Sequence, residues 1–235
     1  MNELSDLISP DLNIWEIGTE YNEKGSTVVE DWLKPESADW VYNFIANYPS
    51  DWWSQSTCDQ NGVENVRHDP KNSEHLQNNR DKAQESFING HFSYNFDRST
   101  GHHASCDCDE CKFKTWIRSP NTMKWVGGLA GEELKGTGEL FISRYKEFQF
   151  LSPHHDTNKG KIGFVYNVTK DWKPEWGGML HVMERNYRTI SKVVMPKYNQ
   201  LTIFNIPKSS GVPHYVSHVV GGVTNHRLSF TGWFS

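Results

Sequence analysis

Phe148-Gln149-Phe150-Leu151-Ser152-Pro153-His154-His155-Asp156 is the stretch from which the rest of the chain can be read. It predicts a strand that carries His-x-Asp at its tip. Residues i and i+2 of a strand point to one face, so His154 and Asp156 can reach a single ion while His155 turns away. An imidazole and a carboxylate on one face make two thirds of a 2-His-1-carboxylate set. That set leaves neighbouring coordination positions open and suits non-haem Fe(II). Alone the triplet is weak evidence, because His-x-Asp also occurs in surface turns. A third ligand and an anion anchor must come from later in the chain.

Moving outward, the pattern from Gly138 is one of short strands, at 140–145, 149–154, 161–169, 179–183, 188–194, 201–206, 214–219 and 227–234. Turn chemistry separates most of them, as in Asn158-Lys159-Gly160, Glu175-Trp176-Gly177-Gly178, Pro196-Lys197 and Pro207-Lys208-Ser209-Ser210-Gly211. Short strands in series with no helix between them predict a mainly β fold, a sandwich or barrel. A double-sheet jelly roll would let strand-borne ligands converge inside its mouth.

Two histidines compete for the distal ligand. His214 lies in Pro213-His214-Tyr215-Val216-Ser217 and His218 in His218-Val219-Val220-Gly221. Four apart, they share a face of a straight strand, so their chemistry does not separate them. His226 faces the other way, and His181 reads as an ordinary strand residue. Arg227 and Ser229 alternate on one face of the last strand. A buried Arg is costly unless an anion pairs with it, and its planar fork suits a carboxylate. With the Ser229 hydroxyl beside it, this is a carboxylate clamp; the plainer alternative is a salt bridge to one of the chain's 29 acids.

The N-terminal half is less informative. Residues 1–34 read as an entry segment with a strand from Ser26. Pro35 and Ser37 open a helix that Pro49 stops, with Trp40, Val41, Phe44 and Ile45 at helical spacing. The region from Thr57 to Glu85 is polar and loop-like, with a helix over 74–87. A strand is expected at 91–96, another at 114–118, and a helix from Ser119-Pro120 that frays at Gly127-Gly128. Trp52, Trp53, Tyr94, Phe96 and Trp116 are candidates to line an entrance. Within 97–113, His103 precedes Cys106-Asp107-Cys108-Asp109-Glu110-Cys111. Three thiols and an imidazole at this spacing could hold a tetrahedral Zn, or form a reduced, acidic loop.

The formal net charge is −5 and no Lys/Arg block stands out, so neither nucleic acid nor an anionic membrane surface is an expected partner. No apolar run is long enough to span a bilayer, and the start of the chain has neither a basic region nor an apolar run. A cytoplasmic location is expected. The division expected is an N-terminal support region, 1–137, and a catalytic core, 138–235, within one domain overall.

The ordered set Arg144-Tyr145, Leu151-Ser152-Pro153-His154-His155-Asp156, Asn167 to Gly178, Pro196 to Leu201, Pro213-His214-Tyr215-Val216-Ser217 and Arg227-Leu228-Ser229-Phe230-Thr231-Gly232-Trp233-Phe234 resembles the 2-oxoglutarate/Fe(II)-dependent dioxygenases of the prolyl 4-hydroxylase-like group. The resemblance covers roughly 138–234 and leaves 1–137 without a match. It implies a double-stranded β-helix with Fe(II) on His154, Asp156 and a distal histidine, for which the family frame favours His214. It implies 2-oxoglutarate on Arg227 and Ser229, with Tyr145 nearby. Asn167 stands where relatives often carry Tyr, and the adjacent Tyr166 should face the opposite side. The activity implied is hydroxylation of a C–H bond with O2, coupled to decarboxylation of 2-oxoglutarate to succinate and CO2. The substrate implied is a prolyl residue of a protein or peptide. A free amino acid or other small molecule is the alternative substrate, and a metal-stabilised jelly-roll binding module the non-enzymatic alternative. Ascorbate and a structural Zn are further candidate cofactors.

Overall fold

The structure, a computed structural model, describes residues 6–101, 106–206 and 212–235. The first half supplies helix α1 (Ile14–Lys24), strand β1 (Ser26–Val29), helix α2 (Pro35–Ala46), the hairpin β2 (Trp53–Asp59) and β3 (Gly62–Arg67), helix α3 (Ser73–Ile88), strand β4 (Tyr94–Ser99), and helices α4 (Asp109–Ile117) and α5 (Pro120–Ala130). The second half supplies β5 (Thr137–Tyr145), β6 (Phe150–His154), β7 (Ile162–Asn167), β8 (Leu180–Met183), β9 (Ile190–Val194), β10 (Gln200–Asn205), β11 (His214–Val216) and β12 (Arg227–Phe234).

Every strand pair is antiparallel, in the order β1-β10-β7-β12-β5-β4-β6-β11-β8-β9, with β2 laid on β4 and β3 on β2. Two four-stranded sheets can be picked out, β10-β7-β12-β5 and β6-β11-β8-β9, which is the double-stranded β-helix arrangement. β4 bonds to the first strand of each, pairing Asp97 with Arg144 of β5 and Asn95 with Phe150 of β6.

Alternation along the strands makes two cores. On β7, Phe164 and Tyr166 face the helices, where they join Trp32, Val41, Phe113, Trp116 and Phe230. Val165 faces the other way, into the space between the sheets, with Phe141, Tyr145, Leu180, Phe204, Val216 and Trp233. The first core fixes the helices; the second encloses the candidate site.

All eight expected C-terminal strands are present, with ends that differ by at most three residues. The N-terminal half departs further from expectation. Residues 114–118 lie in or beside α4 rather than in a strand, because Phe113, Trp116 and Ile117 recur at i, i+3 and i+4 and are buried together. The polar stretch after Thr57 contains the β2–β3 hairpin. Strand β2 buries polar side chains that find partners, as Gln55 does in donating to the Leu76 carbonyl and accepting from Arg80. Helix α1 was read as an entry segment, although Asn13 caps its start and Gly25, at φ 71°, ends it. The strand expected at 91–96 begins at Tyr94. Helix α5 passes through Gly127-Gly128 and stops at Gly131 in the left-handed region. His103 and the turn at 207–211 lie outside the described residues. Among the described residues no helix is long and apolar enough to cross a membrane.

Candidate active site

Strand β6 ends on His154, and β11 begins on His214 directly opposite it in the ladder. Asp156 follows just past the end of β6. The side-chain ligand atoms of His154, Asp156 and His214 all lie within 4.8 Å of one another. His154 Nε2 is 3.6 Å from Asp156 Oδ1, and His214 Nε2 is 3.5 Å from Asp156 Oδ2. Each imidazole points its Nδ1 at a backbone carbonyl two residues upstream, Ser152 at 3.1 Å and Val212 at 2.9 Å. That leaves both Nε2 atoms facing the carboxylate. His155 turns outward to Thr157 Oγ1, as alternation requires.

Electrostatics keep this set ready to bind a cation. Burial, helped by the neighbouring His214, pulls the His154 pKa down to about 3, so its ring is neutral at physiological pH. For Asp156 burial works in the opposite sense. It is outweighed by His214, His154, Lys159 and the Trp233 N–H, which hold the carboxyl below its ordinary value. Trp233 Nε1 donates to Asp156 Oδ2 at 2.9 Å, and Lys159 Nζ lies 3.5 Å from Oδ1 and 4.4 Å from the centre of the Trp233 ring. Asp156 is 3% exposed, yet its Oδ1 has no hydrogen-bond partner. A buried carboxylate oxygen without a donor is costly in a metal-free protein and is accounted for by a cation. Two imidazole nitrogens and a carboxylate fit a ferrous ion in donor type and number.

Arg227 and Tyr145 line the same cavity as the three ligands, which encloses about 140 Å³. Arg227 is 2% exposed, and its Nε has no partner. It lies over the Tyr145 ring, 4.8 Å from the ring centre. Burial lowers the Arg227 pKa and pushes that of Tyr145 up to about 12. Among the described residues no carboxylate pairs with Arg227, so the salt-bridge alternative has no partner to act through. A guanidinium buried this way is an anion site. Gly178 beside it, at φ 64°, lets the chain pack closely: a Cβ there would stand 3.0 Å from Trp172 and 3.1 Å from Val219.

Ser229 stands in the same row of β12, fully buried, with its hydroxyl bonded to Ser143 at 2.7 Å; the cavity wall at that level is Ser143. Asn167 also faces inward, donates to Gln200, and leaves its own Oδ1 without a partner. Tyr166 faces the helices and donates to Asn199.

His218 is separated from the set. Its ring stacks on Phe150 at 4.1 Å and its Nε2 meets Gln84 of α3. The shared face expected for His214 and His218 fails because β11 is only three residues long. His181 stacks on Tyr215 away from the cavity. Of the expected entrance aromatics, Tyr94 and Phe96 line the cavity with Phe92. Trp53 and Trp116 are instead buried in the helical core, with Trp52 packed against it. Trp233 and Lys159 were not singled out by the sequence; only a match between the strand face of Trp233 and that of Arg227 could have pointed to the former.

Residues 140–235 match the family model described as the 2OG-Fe(II) oxygenase superfamily. A search of curated proteins gives no match. Solved structures share the fold. A 2OG-Fe(II) oxygenase family oxidoreductase from Burkholderia pseudomallei is 12% identical with a TM-score of 0.64, over 96% of this chain and 92% of that one. A prolyl-4-hydroxylase from Pseudomonas putida is 16% identical with a TM-score of 0.57, over 94% and 97%. A prolyl hydroxylase from Trichoplax adhaerens, in complex with a hypoxia inducible factor oxygen degradation domain peptide, is 15% identical with a TM-score of 0.63, over 94% and 88%.

Proposed function

With residues 140–235 carrying the 2OG-Fe(II) oxygenase superfamily pattern, we propose that the protein is a 2-oxoglutarate- and Fe(II)-dependent oxygenase that hydroxylates a prolyl residue of a protein or peptide. The observation that carries this reading is a single cavity holding two kinds of unsatisfied group. One is the His154, Asp156 and His214 set; the other is the buried Arg227 guanidinium.

His154 Nε2, His214 Nε2 and Asp156 would hold Fe(II). Arg227 would grip the far carboxylate of 2-oxoglutarate, with Tyr145 flanking it and Ser229 and Asn167 on the same side of the wall. Bound Fe(II) supplies a centre at which O2 oxidises 2-oxoglutarate to succinate and CO2 and places a hydroxyl on the substrate carbon. The protein's own task is positioning. Trp233 orients the Asp156 carboxylate by donating to one oxygen. Val165, Leu180, Phe204 and Val216 keep the inner end of the cavity dry, which strengthens the Arg227–anion contact. No acid–base pair is required.

The prolyl assignment is supported by the two prolyl hydroxylases among the shared folds, one of them solved with a peptide. Exposed Phe92 and partly exposed Tyr94 line the cavity with aromatic surface that suits an apolar pyrrolidine ring.

Anaerobic addition of Fe(II) and then 2-oxoglutarate should produce a visible metal-to-ligand charge-transfer band; its absence in metal-loaded protein refutes the oxygenase reading. Succinate release should be stimulated by proline-containing peptides and abolished in Asp156→Ala. Stimulation by free amino acids alone would move the substrate to the small-molecule class.

A further inference from the structure

Away from the cavity, the start of α4 gathers the three cysteines that the proposed reaction does not use. The Sγ atoms of Cys106, Cys108 and Cys111 lie within 4.8 Å of one another. None of the three is in a disulfide, and each is partly exposed. We propose that Cys106, Cys108 and Cys111 bind a structural zinc ion at the N-terminus of α4, independently of the oxygenase reading.

Four observations converge on this site. In tetrahedral zinc with Zn–S bonds of about 2.3 Å, the sulfurs stand about 3.8 Å apart, so the cluster needs only a small contraction to close. The positive end of the α4 helix dipole favours thiolate charge at this position. Cys108 is itself the N-cap of α4. The nearby buried carboxylate of Glu110 is already engaged by Tyr48, Ser99 and Lys114, so it does not compete for the ion. An odd number of thiols also cannot be exhausted by disulfides.

Burial and the neighbouring thiols raise the pKa of Cys108 and push that of Cys111 up to about 12. Binding replaces three S–H bonds with three Zn–S bonds and releases three protons. Thiolate donors favour zinc over Fe(II), whereas the His/Asp set in the cavity suits iron, so the two sites divide the metals by ligand type.

The consequence is structural. Cys106 and Cys108 would be pinned to the start of α4, the helix that delivers Phe113 and Trp116 to the helical core.

The test uses the full chain carrying Asp156→Ala, which disables the cavity site. Metal analysis should find one zinc per chain. Replacement by Co(II) should give the intense visible bands of tetrahedral cobalt and a near-ultraviolet thiolate charge-transfer band. Both should vanish when Cys106, Cys108 and Cys111 are changed to Ser. Unchanged zinc content in that variant, a cobalt spectrum without the thiolate band, or a native disulfide among the three overturns the proposal. If the triple variant does not fold, alkylation of native protein decides. The three thiols should resist alkylation until a chelator is added, with Cys58 as the internal reference. Alkylation indifferent to chelator also overturns it.

Discussion

Single side chains decide whether the cavity works. Arg227→Met keeps the bulk of the chain but removes the fully buried guanidinium placed to grip a diacid there. We expect 2-oxoglutarate binding to weaken by about 2–5 kcal/mol, read as a rise in its half-saturation concentration with the iron content unchanged. Trp233→Phe removes one hydrogen bond to Asp156 and leaves an aromatic in its place. Fe(II) affinity should fall about 10- to 100-fold, measured by competition with a chromogenic chelator, while 2-oxoglutarate affinity for the loaded enzyme changes little. Much of this chemistry was legible at the scale of a few residues. Alternation alone puts His154 with Asp156, and Arg227 with Ser229. The contact of Trp233 with Asp156 was not legible, because it joins two strands whose mutual position no local pattern encodes.

Between elements, the strongest polar junction is Asp97 on β4. Its fully buried carboxylate meets His68 at 2.9 Å, Arg144 at 2.7 Å, Lys146 at 2.9 Å and Gln149 at 3.1 Å. Burial opposes the charge, but these partners outweigh it and hold the pKa well below the ordinary carboxylate range. A depressed folded-state pKa means stability that is present above the unfolded value, about 3.9 for Asp, and lost as pH falls toward the folded one. Asp97→Asn should therefore cost ~3–5 kcal/mol at neutral pH in denaturant melts and flatten the loss of stability below about pH 4. Nothing in the sequence around His68 or Asp97 announces this junction. Helix α4 was missed for a related reason: its acidic, cysteine-bearing start masked the spacing of Phe113, Trp116 and Ile117. The eight C-terminal strands, by contrast, were readable because each is short and most are bounded by turn residues.

For the molecule as a whole, the boundary drawn at 137/138 is best taken as a change of role within one sheet. β1 pairs with β10, and β4 pairs with both β5 and β6. The helical core mixes residues from both sides, with Trp32, Phe113 and Trp116 against Tyr166 and Phe230. A fragment of residues 138–235 should lack near-ultraviolet circular dichroism and aggregate, because removing the first half uncovers the outer face of β7 and β12. The intact chain should melt in a single transition by calorimetry. Strand β4 also has a mechanical consequence. Because it is hydrogen-bonded to the first strand of each sheet, it acts as a clasp along one side of the barrel. Breathing of the two layers must then be greatest at the far margins, β1 and β9, where each ladder has only one neighbour. The strands that carry His154 and His214, held close to the clasp, would stay still while those margins move.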